Sequence, residues 1–169
     1  MERINKLINH PLYKEYIGKI ESYECQREFC RHDRKHFLDV SRIAYLFYLE
    51  EEELQESLPY TKEQVRELLY AAGLLHDIGR WQQYEKKIEH HLASVELAVP
   101  LLQDSDFSKE EGEEICGIIL AHRSKEEGQS KSLKGIFYRA DKASRECFWC
   151  QARDKCNWKK EKMNLRIWI

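Results

Sequence analysis

Glycine and proline are scarce in this chain, seven and three among 169 residues. That shortage argues against a turn-rich β architecture and leaves helices as the natural use of a chain rich in Leu, Glu, Lys, Arg and Ala. No segment alternates apolar and polar residues for long enough to require a sheet. No apolar run approaches the roughly 20 residues of a membrane-spanning helix, and the stretch from Met1 to Lys6 lacks the apolar core of a secretory signal. A cytoplasmic protein with no membrane partner is therefore expected. There is no excess of one charge either. With 28 basic and 30 acidic residues, the net charge of -2 gives no global field that would point to nucleic acid. The length suits one all-α domain, residues 1–169, with a Cys- and Trp-rich tail, 145–169, expected to pack on its core.

Apolar spacing of three and four predicts the helices. The first runs from about Pro11 to Glu28 through Leu12, Tyr13, Tyr16, Ile17, Ile20 and Tyr23. The second runs from about Asp33 to Leu49 and ends in the acidic stretch Glu50 to Glu53, read as solvated surface. Thr61-Lys62-Glu63-Gln64 has the form of a capping box and opens a central helix through Val65, Leu68, Leu69, Ala72 and Leu75. A loop or short helix follows from Gly79 to Ile88. His90 opens the next helix, which Pro100 is expected to kink or shorten. Ser108 to Glu111 is a second capping box, starting a helix that reaches His122, and a last helix passes through Ile136, Phe137, Ala140 and Ala143.

The chemistry concentrates where helices end. Leu74-Leu75-His76-Asp77-Ile78-Gly79-Arg80 is an apolar run that delivers two metal-ligand side chains and stops at a glycine expected to take the left-handed conformation. His36, His76, Asp77, His90, His122 and Asp141 then fall on five successive predicted helices. Taken singly, each has a bland explanation. A histidine at a helix C-terminus favours the dipole, Asp141 could pair with Arg139 or Lys142, and Arg80 and Arg123 could be solvated cations. Taken jointly, imidazoles and carboxylates in this number suit divalent ions.

The set resembles the HD-domain superfamily of metal-dependent phosphohydrolases. His36-Phe37-Leu38-Asp39-Val40 is similar to its first histidine helix, Leu75 to Arg80 to its naming motif, and Arg139-Ala140-Asp141-Lys142 to its final aspartate. His90 to Ala98 and Ile119 to His122 are similar to the two histidine motifs of members that hold two ions. His91 neighbours His90, but the spacing to Ser94 favours His90. More narrowly, the chain resembles a group of small bacterial HD proteins of unassigned substrate that share Phe29-Cys30-Arg31-His32 and the stretch Cys147 to Trp158.

The resemblance implies that His36, His76, Asp77 and Asp141 hold one divalent ion, while His90 and His122 hold a second that Asp77 bridges. The ions would be Mn, Fe, Zn, Ni or Mg. The activity implied is hydrolysis of a nucleotide or other small phosphate ester at Asp77. Arg80 and Arg123, cations next to Gly79 and His122, suit contact with the phosphate, Arg80 also in the chemistry, and His32, one turn before His36, reads as a substrate contact, a support for the ligands or surface. Arg80 stands where one-metal 5′-nucleotidases of the family have an acidic residue, a departure from the pattern on which that subfamily's acid-base assignment rests. Two other readings share the ligand set: a di-iron oxygenase similar to myo-inositol oxygenase, and a non-catalytic metal-bound ligand sensor. Finally, Cys147-x-x-Cys150-x5-Cys156, with Cys30 or Cys25 as a fourth thiol, suits a structural zinc or an iron-sulfur cluster, whereas Cys116 reads as core.

Overall fold

The computed structural model describes residues 1–167. Its elements are α1 (Glu2–Asn9), α2 (Pro11–Glu24), α3 (Arg34–Glu50), α4 (Glu52–Ser57), α5 (Lys62–Leu75), α6 (Arg80–Lys86), α7 (His90–Asp104), α8 (Lys109–Ala121) and α9 (Leu133–Ala143). Short 3-10 turns occur at Glu126–Gln129, Cys147–Trp149, Arg153–Lys155 and Lys160–Lys162. The architecture is all-α, with no strand among the described residues.

Both capping boxes form: Thr61 accepts from the Gln64 amide and Ser108 from the Glu111 amide, and each Gln or Glu side chain returns the bond. Asp33 Oδ1 accepts from the His36 amide at 2.9 Å and so starts α3 one turn before its histidine. Each such cap is worth about 1 kcal/mol. These caps fix where α3, α5 and α8 begin, and hence where their ligand residues fall.

The helix α5 is the axis of the core. Its last turns, Ala71 to Leu75, are buried on every side, as a helix surrounded by others must be. It packs closely on α3. A Cβ on Gly73 would lie 2.2 Å from Ser41 Oγ and 2.9 Å from Ser41 Cα, so the two backbones approach as only glycine allows. The helices α3 and α9 run antiparallel, with Lys35 paired to Glu146 at one end and Arg139 to Glu51 at the other. Cys30 and Cys147 therefore leave the helix pair at the same end.

Two short helices were not expected from the sequence, and other expectations need correction. The segment Glu2–Asn9 is helical and buries Ile4 and Leu7, and the acidic stretch continues as α4, where Glu52 and Glu53 occupy the first turn and Leu54 is buried. Acids at a helix start complement its dipole, and Glu50, Glu52 and Glu53 stay exposed, as expected of a solvated surface. The helix α2 stops at Glu24, four residues early. Pro100 neither ends nor shortens α7, which continues to Asp104; the proline is exposed on the outer face. Gly79 is not left-handed, since its φ is -81°. What it permits is close approach: a Cβ there would lie 2.5 Å from Ser94 N and 2.6 Å from His90 O.

The tail is attached lightly. Ala152 is its one buried residue among those described. Asn164 Nδ2 donates to the carbonyls of Lys142, Ala143 and Arg145, and Lys155 pairs with Glu28 at 2.7 Å. Residues 168 and 169, the end of the expected tail, lie outside the described residues.

Candidate metal centre

The six sequence-predicted residues converge in the interior. His36 comes from the first turns of α3, His76 caps α5, Asp77 follows in the turn, His90 is the first residue of α7, His122 caps α8, and Asp141 lies near the end of α9. Their ligand atoms fall into two groups, His36 with His76 and Asp141, and Asp77 with His90 and His122, each drawn within 4.8 Å. Asp77 joins the groups. Its Oδ2 lies 3.5 Å from His76 Nε2, while its Oδ1 lies 3.2 Å from His90 Nε2 and 3.8 Å from His122 Nε2.

Every histidine of the set is anchored through Nδ1, so Nε2 faces the centre. His76 donates to Gly73 O at 2.8 Å, His122 to Ile119 O, and His90 to Gln83 Oε1 at 2.9 Å. His36 Nδ1 donates to Ser144 Oγ at 3.2 Å, because that hydroxyl gives its own hydrogen to Asp141 O. With Nδ1 protonated, each neutral imidazole presents a lone pair at Nε2. His90 and His122 then hold two lone pairs 3.2 Å apart. Such a contact is repulsive without a cation between the nitrogens. The Nε2 atoms of His36 and His76 and Oδ1 of Asp77 are likewise buried without a hydrogen-bond partner. The donor set therefore fits divalent ions, as the sequence expected.

Electrostatics favour the ligand forms. Burial lowers the His36 pKa to about 4 and His90 to about 2, and lowers His76 and His122 in the same direction. Burial opposes the charged forms of Asp77 and Asp141, but Arg80 and the histidines outweigh it for Asp77, as Lys142 and the histidines do for Asp141. Both carboxyls are held well below the usual range. At neutral pH the site thus offers neutral imidazoles and ionised carboxylates, the forms that bind metal.

A cavity of about 290 Å³ opens onto this centre and is lined by Asp77, His36, His122 and Asp141 together with Arg80, Arg123 and His32, the three expected substrate contacts. Arg80 Nε lies 3.2 Å from Asp77 Oδ2. Arg123 is exposed and makes no ion pair among the described residues. His91 stays outside, with Nδ1 3.9 Å from Glu89.

Sequence reasoning missed the support beneath His32. Glu24, 3% exposed, accepts from the His32 amide at 2.6 Å, from His32 Nδ1 at 2.7 Å and from the Tyr84 hydroxyl. Burial raises its pKa, but these bonds prevail and hold it near 2. His32 Nε2 is thereby set 3.7 Å from Asp77 Oδ2. A signal was present: Tyr13, Ile17, Ile20 and Glu24 form the buried stripe of α2, and an acid in such a stripe needs partners. Gln83 and Ser144, which orient His90 and His36, carried no comparable signal.

The cysteines are all free thiols. Cys30 lies near enough to Cys147 and Cys150 that, after desolvation, their charges help push its thiol pKa up. No cysteine group closes to ligand spacing among the described residues.

Residues 34–146 match the family model described as HD domain, which is more than half of the chain. A protein of Clostridium beijerinckii (strain ATCC 51743 / NCIMB 8052), described as uncharacterized, is 40% identical over 168 residues, 99% of each chain. No solved structure matches the chain. The helical core, the two ligand groups that share Asp77, and the span of the family match agree: this chain belongs to the HD-domain family.

Proposed function

We propose that this protein is a metal-dependent phosphohydrolase acting on a nucleotide or another small phosphate ester. The observation that carries the reading is Asp77, whose two oxygens face two sets of neutral imidazoles at the bottom of a cavity that Arg80 and Arg123 help to line. His36, His76 and Asp141 with Asp77 Oδ2 would hold one divalent ion, and His90 and His122 with Asp77 Oδ1 a second. Ions so held supply water activation and neutralise charge on phosphoryl oxygens.

The protein's own groups do the positioning. Arg80 has its Nε turned to Asp77, which leaves the outer guanidinium nitrogens for phosphoryl oxygens, a geometry that arginine matches in pairs. Arg123, without an internal partner, adds a second cation at the mouth. His32, fixed by Glu24, turns Nε2 toward the same space and contacts the substrate.

The test is metal analysis of anaerobically purified protein followed by a panel of phosphate esters. Hydrolysis of at least one ester is expected, with Arg80→Ala retaining its metal and losing about two orders of magnitude in turnover, a typical cost of one transition-state donor. A loaded protein that is inert toward every ester but consumes oxygen when its iron is partly reduced would overturn the reading.

A further inference from the structure

Trp149 is the most exposed large apolar side chain among the described residues, at 73%, yet it stands in the wall of the metal cavity. It closes the 3-10 turn Cys147–Trp149, and its ring meets Phe148 nearly edge-on, with centroids 5.0 Å apart and planes at 75°. That contact braces the indole without covering it. Phe29, from the other end of the chain and 38% exposed, lines the same cavity.

Two neighbouring features say what the indole would meet. A second, largely apolar cavity of about 400 Å³ adjoins the first, and Trp149 and Arg145 line both. Arg145 stacks its guanidinium over Trp158 at 3.6 Å, and its Nη1 is buried without a hydrogen-bond partner. The site thus offers anion-binding groups at the Asp77 end and an open aromatic face at the Trp149 end. A purely aliphatic sugar phosphate would use the first and leave the second idle.

We infer that Trp149, together with Phe29, forms a stacking subsite for a planar ring, so that the preferred substrate is a phosphate ester carrying an aromatic base, of which a nucleoside monophosphate is the simplest form. This rests on the phosphohydrolase reading above and narrows its substrate class. An indole at a cavity wall provides such a platform because every base has a π-face, and stacking on one is lost on truncation to alanine.

The test compares adenosine 5′-monophosphate with ribose 5-phosphate on the metal-loaded full chain, reading both hydrolysis and equilibrium binding. Wild type should bind the adenosine ester more tightly. Trp149→Ala should raise KM and Kd for it about tenfold. The ribose phosphate values should change by less than about twofold, the limit set by leaving the phosphate groups untouched. Trp149→Phe, which keeps a stacking face, should recover most of the loss, and Phe29→Ala should show a smaller loss of the same selectivity. Equal binding of the two esters by wild type, or equal losses for both in Trp149→Ala, would overturn the inference. Selective, Trp149-dependent binding without hydrolysis of any ester would keep the subsite and reject the phosphohydrolase reading instead.

Discussion

At the scale of the residue, the site is a set of histidines kept neutral by burial. The His36 pKa falls from 6.5 to about 4, and His76, His90 and His122 move the same way. Between those values the unfolded chain binds protons that the folded chain refuses. The stability from this source is therefore complete above about pH 6.5 and is lost as pH falls toward 4. At about 1.4 kcal/mol per unit, His36 alone contributes on the order of 3 kcal/mol. Thermal unfolding of metal-free protein should show Tm dropping steadily from pH 6.5 to 4.5, and a flat profile would contradict the burial argument. These residues were legible in the sequence because their types and order carried the information. Glu24 was not read, although its place on the stripe of α2 marked it.

At the scale of the element, the geometry depends on close approaches that only glycine permits. Gly79→Ala would put a methyl group 2.5 Å from Ser94 N and 2.6 Å from His90 O, so the start of α7 must retreat and take His90 with it. The expected outcome is a destabilisation of about 1–3 kcal/mol. Metal analysis should show loss of the ion served by His90 and His122, with the ion of His36, His76 and Asp141 retained. Full content of both in the variant would mean that α7 can shift without consequence. The helices with long apolar periods and capping boxes, α5 and α8 above all, were readable from sequence. The helices α1 and α4 were not, because at eight and six residues they show too few apolar positions to establish a period. The conformation of Gly79 was misread for a related reason: a glycine at a helix end signals positive φ and close packing alike, and only the neighbouring α7 distinguishes them.

At the scale of the whole molecule, the tail that carries Trp149 buries a single alanine among its described residues, worth a small fraction of the about 2 kcal/mol that each buried leucine brings to the core. Something beyond apolar contact should fasten it. Cys30 lies beside Cys147 and Cys150 because α3 and α9 are antiparallel, and a zinc or iron-sulfur centre there, with Cys156 closing on it, is the expected fastening. It predicts metal beyond that of the histidine site, and loss of that metal with lowered Tm in Cys150→Ser; titration of native protein that finds all six thiols accessible would contradict it. The anchoring of His36, His76, His90 and His122 through Nδ1 has a thermodynamic consequence for the molecule. Each is already neutral, with its lone pair at the atom a metal would take, so loading at pH 7.5 displaces no proton from any of the four. Heats of metal binding to the histidine site of Cys150→Ser protein, measured in Tris and in HEPES, should therefore differ by no more than the ionisation of one activated water. Ion uptake at the histidine site would then leave the surroundings almost unacidified.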